Sequence, residues 1–301
     1  MKKIGVLIYT HNRVDDAKIN IEIIRNFWQK ISFFNNVKIV HSFNGKKEWY
    51  SNKYLEDDLV LSKNTWHFRG ASDLIDVGVK KFEKNMDYVI VLASDTWLID
   101  PTYVKNLLEN MEKHELYLAT CAWGLVGRND VKDVGMATDF FIIDVKWAKK
   151  YKMFPLNYGK FHRKYKDLFL YKNCGNVMLE KLMLSHFVEA IAREQKFGGS
   201  ARKRAFEKIL MMKEREPVHS KIRKDGTWVR KMYWPKMGLL THHEPALKKK
   251  ILKERKISKG QNIKRLLDSR NLDYFNTGVK KPDIAQIEFL KSEHNIFLRT
   301  N

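Results

Sequence analysis

The sequence predicts an α/β protein with a mostly parallel sheet and flanking helices, followed by a basic, largely helical C-terminal extension. Three observations carry this expectation. Over the first 145 residues, continuous apolar runs alternate with amphipathic segments, the pattern of strands feeding covering helices. The apolar runs end in short polar turns. The excess positive charge lies wholly beyond that region.

The elements follow in order. Ile4 to Tyr9 is an uninterrupted apolar run, as a strand buried on both faces requires. Asp15 and Asp16 open a helix in which Ile19, Ile23, Ile24, Phe27, Trp28 and Ile31 recur at helical spacing, with the acids at the positive end of the dipole. Val37 to Phe43 is a second strand, ending in Asn44-Gly45, and Leu59 to Leu61 a short third. Gly70 to Lys84 reads as a helix on Leu74, Ile75, Val79 and Phe82. Asp87 to Ala93 contains the strongest strand signal, with Ser94-Asp95-Thr96 beyond it. Asp100-Pro101 is a cap followed by proline at the first turn, opening a helix through Val104, Leu107, Leu108 and Met111. Leu116 to Cys121 and Ala137 to Ile143 are two further strands. Beyond Asp144 the alternation fades. Asn176 to Arg193 and the basic Ala201 to Arg215 are expected helices, Trp228 to His243 a returning strand or ordered loop, and residues 246–301 basic helical pieces.

The chain has 301 residues, 44% of them hydrophobic, enough to bury a substantial core. Net charge is +22, distributed as 19 Lys and Arg against 20 Asp and Glu up to Val145, and 38 against 15 thereafter. Such a block implies an anionic partner: an acidic lipid surface, a phosphorylated or acidic glycan, or nucleic acid. Cys121 and Cys174 alone form neither a disulfide framework nor a zinc spacing, which fits a reducing compartment. The N-terminus turns polar too soon for a signal peptide, and no run approaches the roughly 20 apolar residues of a membrane span. The expected setting is cytoplasmic, at most peripheral to the inner face of a membrane.

An open parallel sheet binds ligands beyond the carboxyl ends of its strands. Those ends carry Thr10-His11-Asn12-Arg13, Asn44-Gly45 and Ser94-Asp95-Thr96. In these residues, and in their order over about positions 3 to 145, the chain resembles family-2-like inverting glycosyltransferases of the Rossmann-like glycosyltransferase-A fold. In that family the first strand ends in a Thr-x-Asn-Arg-like turn against the nucleotide, here Tyr9-Thr10-His11-Asn12-Arg13. A glycine-bearing helix start contacts base and diphosphate, here Arg69-Gly70-Ala71-Ser72-Asp73 with Asp76-Val77-Gly78 further on. An apolar strand then ends in Asp-x-Asp, whose last acid holds Mg2+ or Mn2+. Here the frame reads Ala93-Ser94-Asp95, so the first acid is replaced and Asp95 alone remains.

The resemblance implies a nucleotide diphosphate sugar donor, contacted by Thr10, Asn12, Arg13, Asn44, Arg69, Gly70, Asp73, Ser94 and Asp95. It also implies a metal held by Asp95 with one of His242 and His243, and a glycan or lipid-linked acceptor. The departing diphosphate gains charge and needs a cation or fixed donors. Inverting transfer needs a general base for the acceptor hydroxyl, and the candidates are Glu180 and Asp139. Aromatics after residue 120, among them Trp123, Trp147, Trp228, Tyr233 and Trp234, could stack on sugars or simply fill core. Residues 1–195 would be the nucleotide-sugar-binding catalytic domain, and 196–301 the extension completing the acceptor side. Two alternatives stand beside this reading. A sugar-phosphate nucleotidyltransferase shares a similar sheet but usually has a Gly-rich Lys/Arg loop after the first strand, absent from Thr10-His11-Asn12-Arg13. A nucleic-acid-binding protein would use the basic half, which carries no zinc finger or RNA-recognition signature.

Overall fold

The computed structural model describes residues 2–50, 59–65, 67–82, 84–124, 134–165, 179–194, 201–212, 216–219, 230–234 and 239–243, together with 279, 282, 287 and 291–292. In chain order the elements are β1 (Ile4–Thr10), α1 (Val14–Asn26), β2 (Lys38–Phe43), β3 (Leu59–Leu61), α2 (His67–Lys80), β4 (Tyr88–Ala93), β5 (Thr96–Leu98) and α3 (Pro101–Lys113). There follow β6 (Leu118–Gly124), β7 (Val134–Asp144), α4 (Val145–Lys150), α5 (Tyr158–Tyr165), α6 (Leu179–Glu194), α7 (Ala201–Glu207), β8 (Ile209–Met212), β9 (Glu216–His219), β10 (Arg230–Trp234) and β11 (Leu239–His243).

Seven strands form the main sheet in the order β3-β2-β1-β4-β7-β6-β8. The first four are mutually parallel, β7 runs antiparallel to both β4 and β6, and β8 runs parallel to β6. This is the expected mostly parallel sheet with helices on both faces. Alternation within the strands assigns the faces. Ile4, Val6, Ile8, Ile90 and Leu92 pack with Ala17, Ile21 and Ile24 of α1 and with Val104, Leu108 and Met111 of α3. Leu7, Val89 and Val91 point the other way, toward Ile75 and Val79 of α2 and Leu182, Met183 and Phe187 of α6. At Gly78 an added Cβ would run into the buried side chain of Leu7, so the glycine lets α2 lie directly on β1.

The cap expected at Asp100 forms, Asp144 supplies a second that the sequence reading did not name, and α1 begins without a side-chain cap. Asp100 accepts from the N–H groups of Thr102 and Tyr103 at the start of α3, with Pro101 in the first turn. Asp144 caps α4 through the N–H of Trp147 at 2.7 Å.

Several boundaries differ from the sequence expectation. The first helix stops at Asn26 and continues as short 3-10 turns at Trp28–Lys30 and Ser32–Phe34. There the indole of Trp28 is fully buried and donates to the carbonyl of Leu98 at 3.0 Å, a tertiary anchor that the helical period does not contain. The second helix starts at His67 rather than Gly70 and ends at Lys80. The expected helix Ala201 to Arg215 stops at Glu207, because Ile-Leu-Met-Met at 209–212 pairs with β6 as the last strand of the main sheet. Within Trp228 to His243, β10 and β11 join β9 and β5 in a second, four-stranded sheet ordered β5-β11-β10-β9. Of the basic pieces expected over 246–301, all but residues 279, 282, 287 and 291–292 lie outside the described residues, as do Trp228 and Cys174. Among the described residues, no helix is long and apolar enough to cross a membrane.

Candidate functional site

The polar turns after β1, β2 and β4 meet at one edge because these three strands are adjacent and parallel, with Thr10 opposite Phe43 and Tyr9 opposite Ala93. The turns are tied together side chain to side chain. Thr10 Oγ1 donates to Ser94 Oγ at 2.9 Å, and the N–H of Ser94 donates to the carbonyl of Tyr9 at 3.0 Å. The ring Nδ1 of His11 lies 2.9 Å from Asn44 Oδ1. Thr10, Asn12, Asn44 and Ser94 are all buried at this edge. At Gly45 an added Cβ would collide with the backbone carbonyl of His11, so the turn after β2 sits directly on the turn after β1.

Arg13 is the electrostatic centre of the edge. Its Nη1 lies 3.2 Å from Asp16 Oδ2 and its Nε 3.3 Å from Asp95 Oδ2, so one guanidinium spans a buried acid and a partly exposed one. Asp16 is fully buried and its Oδ1 has no hydrogen-bond partner among the described residues. Burial pushes its carboxyl up to about 7; Arg13 pulls it down and Asp95 pushes it up. Asp95 itself follows the fully buried β4, in the tight turn to β5, with its side chain 18% exposed.

The remaining predicted residues distribute around this edge. Gly70 packs beneath Asn44, where an added Cβ would stand 3.2 Å from Asn44 Nδ2. Asp73 accepts a short hydrogen bond from Thr65, and Arg69 and Asp73 line a cavity of about 470 Å3 with Asp76, Pro155, Asn157, Tyr158, Gly159 and Arg163. Asp139 is half-buried on β7, one residue before Phe140, which stands opposite Leu92; this puts it level with the end of β4. The neighbouring carbonyl of Thr138 accepts from the Tyr9 hydroxyl at 3.2 Å. Glu180 lies in the first turn of α6, and its side chain is outside the described residues, as are those of His242 and His243 in β11. The backbone of β11 nevertheless pairs Thr241 with Thr96, so His242 follows in register beside Asp95. Trp147 is core, stacked on Tyr117 at 5.1 Å and close to Phe187. The side chains of Trp123, Tyr233 and Trp234 lie outside the described residues.

Asp95 carries the kind of oxygen donor that Mg2+ and Mn2+ take, and here it is engaged by Arg13. Among the described side chains, no group of three or more His, Cys, Asp or Glu comes together as a metal cluster. Sequence reasoning did not find Asp16 as a site residue, and met Asp76 only as part of the Asp76-Val77-Gly78 stretch. Asp16 carried only the signal of an acid in a first helical turn, and its burial against Arg13 is a tertiary event.

No family model and no curated protein matches the chain. Solved structures to which it is similar include S. aureus TarS 1-349 at 12% identity, covering 63% of this chain and 55% of that one, with a TM-score of 0.38. The glycosyltransferase GlyE of Streptococcus pneumoniae TIGR4 matches at 16% identity over 70% of this chain and 45% of that one, TM-score 0.38. A CMP:2-keto-3-deoxy-manno-octonic acid synthetase complexed with CTP matches at 13% identity over 56% and 86%, TM-score 0.35. The chain spans only 30% of a longer TarS chain. The topology itself is the mostly parallel α/β sheet with flanking helices that resemblance to glycosyltransferase-A proteins implies.

Proposed function

We propose that this chain is a glycosyltransferase that moves a sugar from a nucleotide diphosphate sugar to a glycan or lipid-linked acceptor, with inversion. The observation that carries the reading is the linked cluster at the carboxyl edge, in which Thr10–Ser94, His11–Asn44 and Asp16–Arg13–Asp95 join the ends of three parallel strands. Ligands of open parallel sheets bind at such an edge.

In this reading the donor lies across the turns after β1 and β4. Thr10, Asn12, Asn44 and Ser94 hold nucleoside and diphosphate by hydrogen bonds, and Gly70 leaves room for Asn44. Arg13 offers fixed positive charge where the leaving diphosphate develops negative charge, and Asp16 keeps that guanidinium in place. Asp95 with His242 or His243 would hold Mn2+ or Mg2+. When bound, the ion supplies further neutralisation of the leaving group. Asp139 or Glu180 takes the proton from the acceptor hydroxyl, whose oxygen attacks the anomeric carbon as its bond to the diphosphate oxygen breaks. The basic second half draws an anionic acceptor, or the anionic membrane face carrying it, toward this edge.

The test is a thermal-shift panel of UDP, GDP and CMP sugars with and without Mn2+, because a ligand that binds only the folded form raises Tm. The expected result is that at least one nucleotide sugar raises Tm and its unrelated mononucleotides do so less. A flat panel would sink the reading.

A further inference from the structure

The cavity between α2 and α5 lies beside the edge cluster, and its walls have a clear sequence origin. Arg69, Asp73 and Asp76 fall at i, i+4 and i+7, one stripe of α2, while Leu74, Ile75 and Val79 are buried on the core side. The chain returns across that stripe after α4. Asp76 accepts from the N–H of Leu156 at 2.6 Å and from that of Asn157, so a carboxylate on α2 pins the approach to α5. Asn157 takes a left-handed conformation, φ 46, which asparagine tolerates, and its Oδ1 accepts from the N–H of Lys160 in the first turn of α5. The start of α5 is therefore fixed by both Asp76 and Asn157, and Arg163 of α5 lines the same cavity as Arg69 of α2.

The charges of the cavity are unequally engaged. Asp73 is bonded to Thr65, and Asp76 spends its oxygens on two backbone N–H groups. Burial also pushes the Asp76 carboxyl up to about 7, which lowers its negative charge near neutrality. Arg69 and Arg163 are exposed, and neither guanidinium has a hydrogen bond or ion pair among the described residues. The acids thus serve the architecture and the arginines face a space of about 470 Å3, room for a monosaccharide with a charged substituent.

We infer that this cavity binds a phosphate group through Arg69 and Arg163, and that the phosphate is carried on a sugar. Planar guanidinium groups match phosphate oxygens two at a time, which a lysine pair would not do. The inference rests on the transferase reading only for the source of the group, which is either a phosphorylated acceptor or the sugar diphosphate of the donor.

The experiment is isothermal titration of the full chain at low salt with glucose 1-phosphate, glucose and UDP, on the parent protein, Arg163→Gln and Lys160→Gln. Lys160 is exposed on the same helix but outside the cavity, so its variant removes equal charge without touching the site. Glucose 1-phosphate should bind and glucose should not, and Arg163→Gln should weaken the sugar phosphate roughly 10-fold, the scale of one lost charge-assisted contact. Lys160→Gln should leave it within about 2-fold. A parallel loss of UDP affinity in Arg163→Gln assigns the phosphate to the donor; unchanged UDP affinity assigns it to the acceptor. Equal effects of the two substitutions, or none from Arg163→Gln with an unchanged Tm, would overturn the site. If nucleotide sugars fail to bind while glucose 1-phosphate still depends on Arg163, the transferase reading fails and the cavity stands.

Discussion

At the scale of single residues, Arg13 and its two acids make opposite predictions for substitutions a few ångströms apart. Asp95 is partly exposed and has Arg13 as an ion partner, so Asp95→Asn removes one charge at the edge without opening the core. Turnover should fall by roughly 100-fold, the scale of one preorganised electrostatic contact, while stability changes by about 1 kcal/mol. Near-normal transfer with a normal Mn2+ response would remove Asp95 from the mechanism. Arg13→Leu differs, because it leaves Asp16 with neither solvent nor counter-charge. Breaking a buried pair on one side costs about 3 kcal/mol. The loss should be larger at pH 8 than at pH 5, because a carboxyl pushed up to about 7 even beside Arg13 is protonated at the lower pH and has little charge to strand. Urea unfolding at the two pH values measures the contrast, and a pH-independent loss would refute it.

Between elements, the edge depends on how closely the turn after β2 approaches the turn after β1. Gly45→Ala would drive a Cβ into the carbonyl of His11, which is backbone and can give way only by shifting the whole turn, taking Arg13 and Asn12 with it. Nucleotide-sugar affinity should fall about 10-fold or more, with a stability loss of about 1–3 kcal/mol, whereas unchanged affinity would show that the turn is not part of the site. The gathering of these turns was readable in the sequence because β1 and β4 are so apolar that only a doubly covered parallel position suits them. Three-residue β3 was read at Leu59 to Leu61, where it lies. What was not readable depends on distant partners. β5 is three residues long and becomes a strand only because Leu239 to Thr241 pairs with it from far along the chain. The basic residues around Arg202 to Lys208 suggested one long helix, yet Ile209 to Met212 found the open edge of β6. In the same way, the cavity between α2 and α5 follows from Asp76 bonding to Leu156, a contact across 80 positions that no local pattern announces.

For the whole molecule, the buried titratable groups set an acid response that differs from the net charge of +22. Burial lowers His41 to about 3 and His186 to about 4, and raises Asp16 and Asp76 to about 7. The two kinds act oppositely. Between about pH 4 and 6.5 each histidine is protonated only when unfolded, so its contribution to stability is lost as pH falls. Each aspartate over the same window is protonated only when folded, so its contribution is lost as pH rises. Burial raises the Asp144 carboxyl as well, so among the described residues the two kinds oppose each other, and stability should vary less across this window than either kind alone would make it. Removing one member exposes the balance. His41 is buried among aromatic rings, its ring centre 6.4 Å from that of Phe43 and 5.7 Å from that of Tyr50; its Nδ1 lies 3.3 Å from the Tyr50 hydroxyl and its Nε2 has no partner among the described residues, so His41→Phe keeps the aromatic packing and gives up one contact, to Tyr50, whose loss does not depend on pH in this range. Relative to the parent, this variant should gain stability as pH falls, by up to about 1.4 kcal/mol per pH unit below 6.5. Urea midpoints at pH 4.5 and 7.5 would show a relative gain of about 2.7 kcal/mol at the lower pH. A difference between variant and parent that stays constant across the two pH values would mean that His41 already takes up its proton in the folded protein, with its ring on β2 open to water.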